Sequence, residues 1–519
     1  MASPLRTISM LEVSKHNTPA DCWVVFHGKV YDLSSFHAEH PGGSKIITSN
    51  AGKDVTALFE PIHPKDIAER LLGPSVCVGV VDPHTVDPAI HVVAADPSHS
   101  KEAAKSRGSV ASSSGEKPHA PAREWKKPPL EAMLNHFDFE SVAAHTMTEE
   151  GWGYYSSGAD DEITLRENHN AFQRIWLKPR VLVNVKNVST CTSLLGYDSS
   201  FPLYFTATAL GKLAHEEGEL AITRAAHASN VIYMLPTLAS YTLEEMLAER
   251  GPGQVQFGQL YVNADRERSR EYIEKLERGN VKALFITVDA PQLGRREKDM
   301  RNKFTKNTSV QKEDATDLNR EEGVAKAISG FIDPSLCWDD LTWFKSITNM
   351  PIVLKGVACD LDATMAYKAG CRGVVLSNHG GRQLDTARSG IEILPEVVAA
   401  LTKTDPMWRQ SGFEVYIDGG IRRGSDIFKA IALGATAVGI GRPVLYSLAS
   451  YGQPGIERMV QLLKDELIMV MRLMGCQSLQ DISPSHVLAH SLSVHVPAQA
   501  PDHLALGTYE PMKPAAAKM

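Results

Sequence analysis

Eight short runs rich in β-branched and aromatic residues recur along the chain beyond residue 200. They are PLYFTAT (202–208), NVIYML (230–235), QFGQLYV (256–262), ALFITVD (283–289), PIVLKGV (351–357), RGVVLSN (372–378), FEVYIDG (413–419) and ATAVGIG (435–441). Their length and residue types predict buried strands. Between them the apolar positions fall at helical spacing, as in HEEGELAITRAAHAS (215–229) and SDIFKAIALG (425–434). Eight strand–helix repeats predict an α/β fold, a closed parallel (β/α)8 TIM barrel. A doubly wound open sheet also alternates strand with helix and is the competing arrangement.

The pattern lapses in three places. Residues 82–129 are rich in Ser, Ala, Pro, Lys and His, as in SHSKEAAKSRGSVASSSGEKPHAPAREWKKPP. Such a stretch buries too little apolar surface to offset its ordering entropy, which predicts a flexible linker. It divides a small unit at 8–81 from a large one at 130–490. Within the large unit the polar tract Glu297–Gly323 reads as a long flexible loop. A Pro- and Ala-rich C-terminal tail, 491–519, is expected to wrap the surface or a neighbour.

Composition narrows the class. The chain has 519 residues, too many for one compact core. With 43% hydrophobic and 22% charged residues it is neither disordered throughout, nor collagenous, nor a small disulfide scaffold. A net charge of −7 gives no pull toward nucleic acid or an anionic membrane and a mild one toward a basic protein partner. The seven cysteines are odd in number and lack metal-ligand spacing, so they read as reduced thiols. The longest apolar candidate, Ile431–Gly441, is far short of the roughly 20 residues a membrane helix needs. A patterned domain begins near Ile8, which leaves no room for a full presequence within this chain. The final Ala517-Lys518-Met519 loosely matches a peroxisomal address.

In the small unit His40 precedes Pro41-Gly42-Gly43, a tight turn that can project an imidazole outward. His63 follows beyond a helical stretch and Leu58-Phe59. Two neutral imidazoles can hold haem iron from opposite faces, and such a centre shuttles single electrons. Either histidine alone reads equally as a surface or capping residue. Together with the run DCWVVFHGKVYDLSSF they resemble the cytochrome b5 family over residues 8–81. The resemblance implies a small α+β domain with haem b on the metal ligands His40 and His63. Pro64, directly after the second, departs from the family pattern.

In a barrel the chemistry sits at the C-terminal strand ends, with phosphate bound after strands seven and eight. There the sequence has DGGIRRG (418–424) and GIGR (439–442), whose glycines admit backbone N–H groups to phosphate while Arg adds a fork of donors. Strand six ends in SNHGGRQLD (377–385). Arg382 there can hold a carboxylate bidentately while His379 takes a proton nearby. Asp289, ending strand four, would orient such a base, and Lys355, ending strand five, can stabilise negative charge on a reduced ring.

These motifs, with YYSSGADDE (154–162), TATAL (206–210), QLYV (259–262) and ITVDAPQLGRRE (286–297), resemble the FMN-dependent 2-hydroxy-acid dehydrogenases and oxidases from about residue 130 to 490. The resemblance implies His379 as base with Asp289 in support. It implies substrate on Arg382, Tyr154 and Tyr261, and a side-chain pocket of Ala209 and Leu238. Thr208, Gln259, Thr287 and Lys355 would hold the flavin ring, with Arg296 at its edge. Asp418 and Arg422 would take the ribityl–phosphate region, and Gly441 and Arg442 the phosphate. Pro236 stands where many relatives carry a flavin-bonding Ser. The bulk of Leu238 favours a small substrate such as L-lactate over mandelate or a longer 2-hydroxy acid.

Joined to the haem unit, the whole chain resembles the flavocytochrome b2 family. That implies electron transfer from FMN through haem b to cytochrome c, a homotetramer, and residence in the mitochondrial intermembrane space; without a presequence the expectation is cytoplasmic. An oxygen-using oxidase is the alternative, as is a non-catalytic haem–flavin carrier, which would have lost the base and the carboxylate clamp.

Overall fold

The computed structural model describes residues 6–37, 44–59, 76–86, 125–300 and 332–495. They fall into two units, 1–123 and 124–519. The seven cysteines are all free, and no helix among the described residues is long and apolar enough to cross a membrane.

The small unit is built on a five-stranded sheet of β1 (Thr7–Ile8), β2 (Asn17–Thr18), β3 (Asp21–Phe26), β4 (Lys29–Asp32) and β5 (Cys77–Val81), in the order β1-β5-β4-β3-β2. His27 and Gly28, with φ of 53° and 71°, turn β3 into β4, the positive-φ pair that a tight hairpin requires. Period-two alternation splits β3 between two small cores. Cys22, Val24 and Phe26 pack with Tyr31, Leu33, Ile47, Ala51 and Val55. Val25 faces Ile8, Met10, Val13, Val30 and Val81 on the other side. Phe26 stacks on Tyr31 at 3.9 Å and on Phe59 at 4.1 Å. His40 and His63 lie outside the described residues.

The large unit opens with three helices, His136–Thr146, Glu149–Ser156 and Ile163–Gln173. Its strands are β6 (Trp176–Leu177), β7 (Thr192–Leu194), β8 (Tyr197–Ser199), β9 (Leu203–Phe205), β10 (Ile232–Leu235), β11 (Gln256–Leu260), β12 (Leu284–Thr287), β13 (Ile352–Val357), β14 (Gly373–Leu376), β15 (Glu414–Asp418), β16 (Ala437–Ile440) and β17 (Val487–Leu488). Strands β9 to β16 close into a parallel barrel, β16 returning to pair with β9. Each lies within one of the eight predicted runs. In several runs the last residues leave the sheet for the site, as Thr206–Thr208 and Ser377–Asn378 do. Inward side chains such as Tyr204, Met234, Phe257, Phe285, Val353 and Tyr416 fill the barrel. Their outward neighbours pack under the helices. The strands are buried on both faces, so their sequences read as continuous apolar runs.

Contacts hold both ends of the predicted linker. At one end Thr85 accepts the Met10 N–H at 2.9 Å, which ties 82–86 to the small sheet. At the other, Tyr451 donates to the Pro128 carbonyl at 2.7 Å, and Trp125 stacks on His145. Residues 87–124 lie outside the described residues, as does most of the polar tract after the short helix Glu297–Met300. The tail begins on the barrel, where Leu492 is buried and its carbonyl accepts from Arg174.

Candidate active site

His379 follows β14 with φ of 59°, and Gly380 and Gly381 continue at 66° and 74°. A non-glycine residue in this left-handed region carries about 1–3 kcal/mol of strain, so its surroundings must hold it there. Its N–H donates to Ser377 Oγ at 3.0 Å. Its imidazole is clamped at both ends, with Nδ1 3.0 Å from Asp289 Oδ1 and Nε2 3.0 Å from Tyr261 Oη.

Burial pushes the His379 pKa down, and Asp289 only partly reverses this, so the ring is neutral at neutral pH. Burial raises the Asp289 carboxyl, but His379 and Lys355 outweigh it and hold it below the usual carboxylate range. An ionised Asp289 can only accept, so we assign the ring proton to Nδ1. The Nε2 lone pair then receives the Tyr261 hydroxyl, a phenol that burial keeps protonated. A neutral imidazole whose Nε2 lone pair faces the cavity beside a phenol, with a carboxylate behind it, can act as a base. Gly356, with φ of 108°, lets the chain pass close behind: a Cβ there would lie 2.5 Å from Asp289 Cγ.

Arg382 stands beside this pair. Its guanidinium lies over the Tyr154 ring at 4.8 Å, and Nη1 donates to the Tyr154 carbonyl. That leaves the Nε and Nη2 edge for a carboxylate.

Across the cavity Lys355 Nζ lies 3.3 Å from Asp418 Oδ2 and 3.4 Å from Ser377 Oγ. Burial lowers the Lys355 pKa, but Asp418 and Asp289 outweigh it and hold the ammonium charged. Gln259 donates to Thr287 Oγ1 at 2.9 Å and accepts the Thr237 N–H at 3.0 Å, which fixes its amide. Gly419 and Gly420 turn at φ of 86° and 83°, and a Cβ on Gly420 would meet the Asn168 carbonyl at 1.8 Å.

All the barrel residues singled out from sequence line one cavity, except Thr287 and Asp289. Thr287 sits behind Gln259 and Asp289 behind His379, so each acts on the cavity through its neighbour. Arg442 lines it but is already engaged: it donates to the carbonyls of Tyr155, Gly380 and Ser157 at 2.7, 2.8 and 2.9 Å. Its first role is to tie loops together, with spare N–H donors left for an anion. Sequence reasoning passed over Ser377, Thr237, Tyr155 and Leu293; all but Thr237 stood inside the quoted motifs, but nothing in their spacing gave them a task.

The lining carries Arg296, Lys355, Arg382, Arg422 and Arg442 against one carboxylate, Asp418. Burial, with neighbouring cations, pushes Arg296 and Arg442 down to about 10. So many buried cations fit two anions, the phosphate of FMN and a substrate carboxylate.

Residues 143–489 match the FMN-dependent dehydrogenase family, and residues 9–82 match the cytochrome b5-like haem/steroid binding domain. The chain belongs to the FMN-dependent dehydrogenase family. This FMN-dependent dehydrogenase is 44% identical to the L-lactate dehydrogenase (cytochrome) of Wickerhamomyces anomalus, over 96% of this chain and 83% of that one. It is 42% identical to the glycolate oxidase of Spinacia oleracea, over 69% of this chain and 96% of the relative. In three dimensions it matches the flavin-binding domain of baker's yeast flavocytochrome b2 with a TM-score of 0.65 at 42% identity, covering 76% of this chain and 95% of that domain. The glycolate oxidase matches only part of this chain, whereas the cytochrome-linked relative spans nearly all of it. The chain is thus a flavocytochrome b2-type oxidoreductase, with FMN and haem b as its cofactors.

Proposed function

We propose that this chain oxidises L-lactate to pyruvate and delivers the electrons through haem b to cytochrome c. The observation that carries the chemistry is the clamped, neutral His379 beside the free edge of Arg382 in one cationic cavity.

Arg382 binds the substrate carboxylate through Nε and Nη2, with Tyr154 alongside. That places the C2 hydroxyl toward His379 Nε2, with Tyr261 as the second contact to it. Oxidation breaks the C2–H and O–H bonds, forms C=O, and releases two electrons and two protons. His379 takes one proton at Nε2, and this holds whether the C2 hydrogen leaves as a proton or as hydride. Asp289 then stabilises the imidazolium through Nδ1–H. Lys355, Asp418, Thr208 and Gln259 would hold the flavin ring, and Arg422 with Gly441 and Arg442 would hold the phosphate. Thr287 acts through Gln259. Bound FMN supplies a two-electron acceptor and haem b a one-electron carrier.

Ala209 and the buried Leu238 line the cavity, and the bulk of Leu238 would leave room for a small substituent on C2. This favours lactate over mandelate or a longer acid. A homotetramer in the mitochondrial intermembrane space, where cytochrome c resides, completes the reading.

The test is anaerobic stopped-flow absorbance with lactate, glycolate, mandelate and 2-hydroxybutyrate. Flavin bleaching followed by haem reduction, fastest with lactate, is the expected result. Mandelate outpacing lactate would overturn the substrate, and haem that stays oxidised would overturn the electron path.

A further inference from the structure

We propose that Ser377 is a positioning residue for His379, its hydroxyl locking the base's strained backbone to the Lys355–Asp418 pair. This rests on the reading of His379 as the base.

Ser377 is buried, at 2% exposure, just past the end of β14. A hydroxyl has one hydrogen and two lone pairs, and all three are used here. It donates to Asp418 Oδ1, accepts the His379 N–H at 3.0 Å, and meets Lys355 Nζ at 3.4 Å. Lys355 belongs to β13 and Asp418 to β15, the two strands flanking β14, so one oxygen joins three neighbouring strand ends. The turn that follows is held at other points too, with Arg442 donating to the Gly380 carbonyl at 2.8 Å. Asn378 Oδ1 accepts the Gly381 N–H at 2.9 Å and closes its far side, where glycine takes the left-handed backbone freely. Among the described residues only the Ser377 lock acts on the backbone of His379, the one non-glycine residue of the three.

A base that loses this lock relaxes away from Asp289. The ring is then less well placed for proton transfer, and it loses the interaction that raises its pKa against burial. Arg382 and Tyr154 are untouched, so substrate affinity should hold.

The experiment uses the full chain with both cofactors, as Ser377→Ala and Ser377→Thr beside wild type and His379→Gln. With Ser377→Ala we expect flavin reduction by lactate to slow about ten- to a hundredfold, as sub-ångström to ångström misplacement of a reacting group does. KM should change little. The acid limb of kcat/KM should move to lower pH. The midpoint for His379 modification by diethylpyrocarbonate, read by mass spectrometry without turnover, should move the same way. Ser377→Thr keeps the hydroxyl and should restore most of the rate. Should Ser377→Ala fail to retain FMN, Ser377→Cys, a weaker acceptor, should show the same shifts in smaller measure. A wild-type rate and limb in the Ala or Cys variant would overturn the proposal. So would a slowed variant whose modification midpoint is unmoved, or a Thr variant as slow as Ala. An inactive His379→Gln beside an unchanged Ser377→Ala would fault Ser377 alone; an active His379→Gln would fault the base itself.

Discussion

Asp289 meets His379 with one oxygen only: Oδ1 lies 3.0 Å from Nδ1, while the buried Oδ2 has no hydrogen-bond partner among the described residues. The whole polar demand of this carboxylate therefore falls on the histidine and on the field of Lys355. Asp289→Asn keeps the shape and removes the charge. Lactate-driven flavin reduction should fall about 10²–10⁴-fold. Because Asp289 is what raises the His379 pKa against burial, the acid limb of kcat/KM should move to lower pH. A pH series of single-turnover rates reads both.

Arg382→Lys keeps one positive charge and loses the planar fork and the stacking over Tyr154. A lysine cannot both satisfy the Tyr154 carbonyl and present two parallel donors to a carboxylate. The expected result is a rise in KM for lactate and a drop in kcat/KM of about 10²-fold, equivalent to about 2–3 kcal/mol of charge-assisted hydrogen bonding. Steady-state kinetics with cytochrome c as acceptor checks it.

Gly356→Ala should damage the site from behind. The added Cβ would lie 2.5 Å from Asp289 Cγ, on a backbone whose φ of 108° already disfavours a side chain. The carboxylate must move, and its histidine contact with it. We expect a loss of about 1–3 kcal/mol in stability together with slower flavin reduction. Thermal unfolding and stopped-flow rates measured on one preparation would show the two together.

His136 gives the barrel a pH dependence of its own. Its side chain is fully buried, neither ring nitrogen has a hydrogen-bond partner among the described residues, and Glu140 Oε2 stands 3.6 Å off. Burial pushes its pKa down to about 4; Glu140 opposes this, while Arg422 and His169 add to it. In the unfolded chain it titrates near 6.5. Between those values only the unfolded state takes up the proton, so stability should fall as pH drops from 6.5 toward 4, by on the order of 3 kcal/mol in full. His136→Gln should remove most of that slope in urea unfolding across this range.

The barrel was legible because its strands are buried on both faces and write themselves as apolar runs that polar turns interrupt. That His379 and Arg382 share one cavity was legible because SNHGGRQLD packs a histidine and an arginine around two glycines. Ser377 and Thr237 were not, since a hydroxyl's importance lies in what three separate strands bring to it, and no spacing along one strand encodes that. The double use of Arg442 was hidden for a similar reason: its carbonyl partners come from residues 155, 157 and 380. Composition registers polarity, so it missed the few contacts, at Thr85, Trp125 and Pro128, at the ends of the predicted linker.

Those carbonyls have a further consequence. Arg382, from the loop after β14, and Arg442, the first residue of the helix after β16, both hold the backbone around Tyr154–Ser157, nearly fifty residues ahead of the first barrel strand. Counted by its strands the catalytic unit starts at Leu203, but counted by what keeps its arginines in place it starts at the helix Glu149–Ser156. A gene fragment cut at the first strand would encode all eight staves and still yield an empty cask, because the hoop that sets its mouth lies upstream.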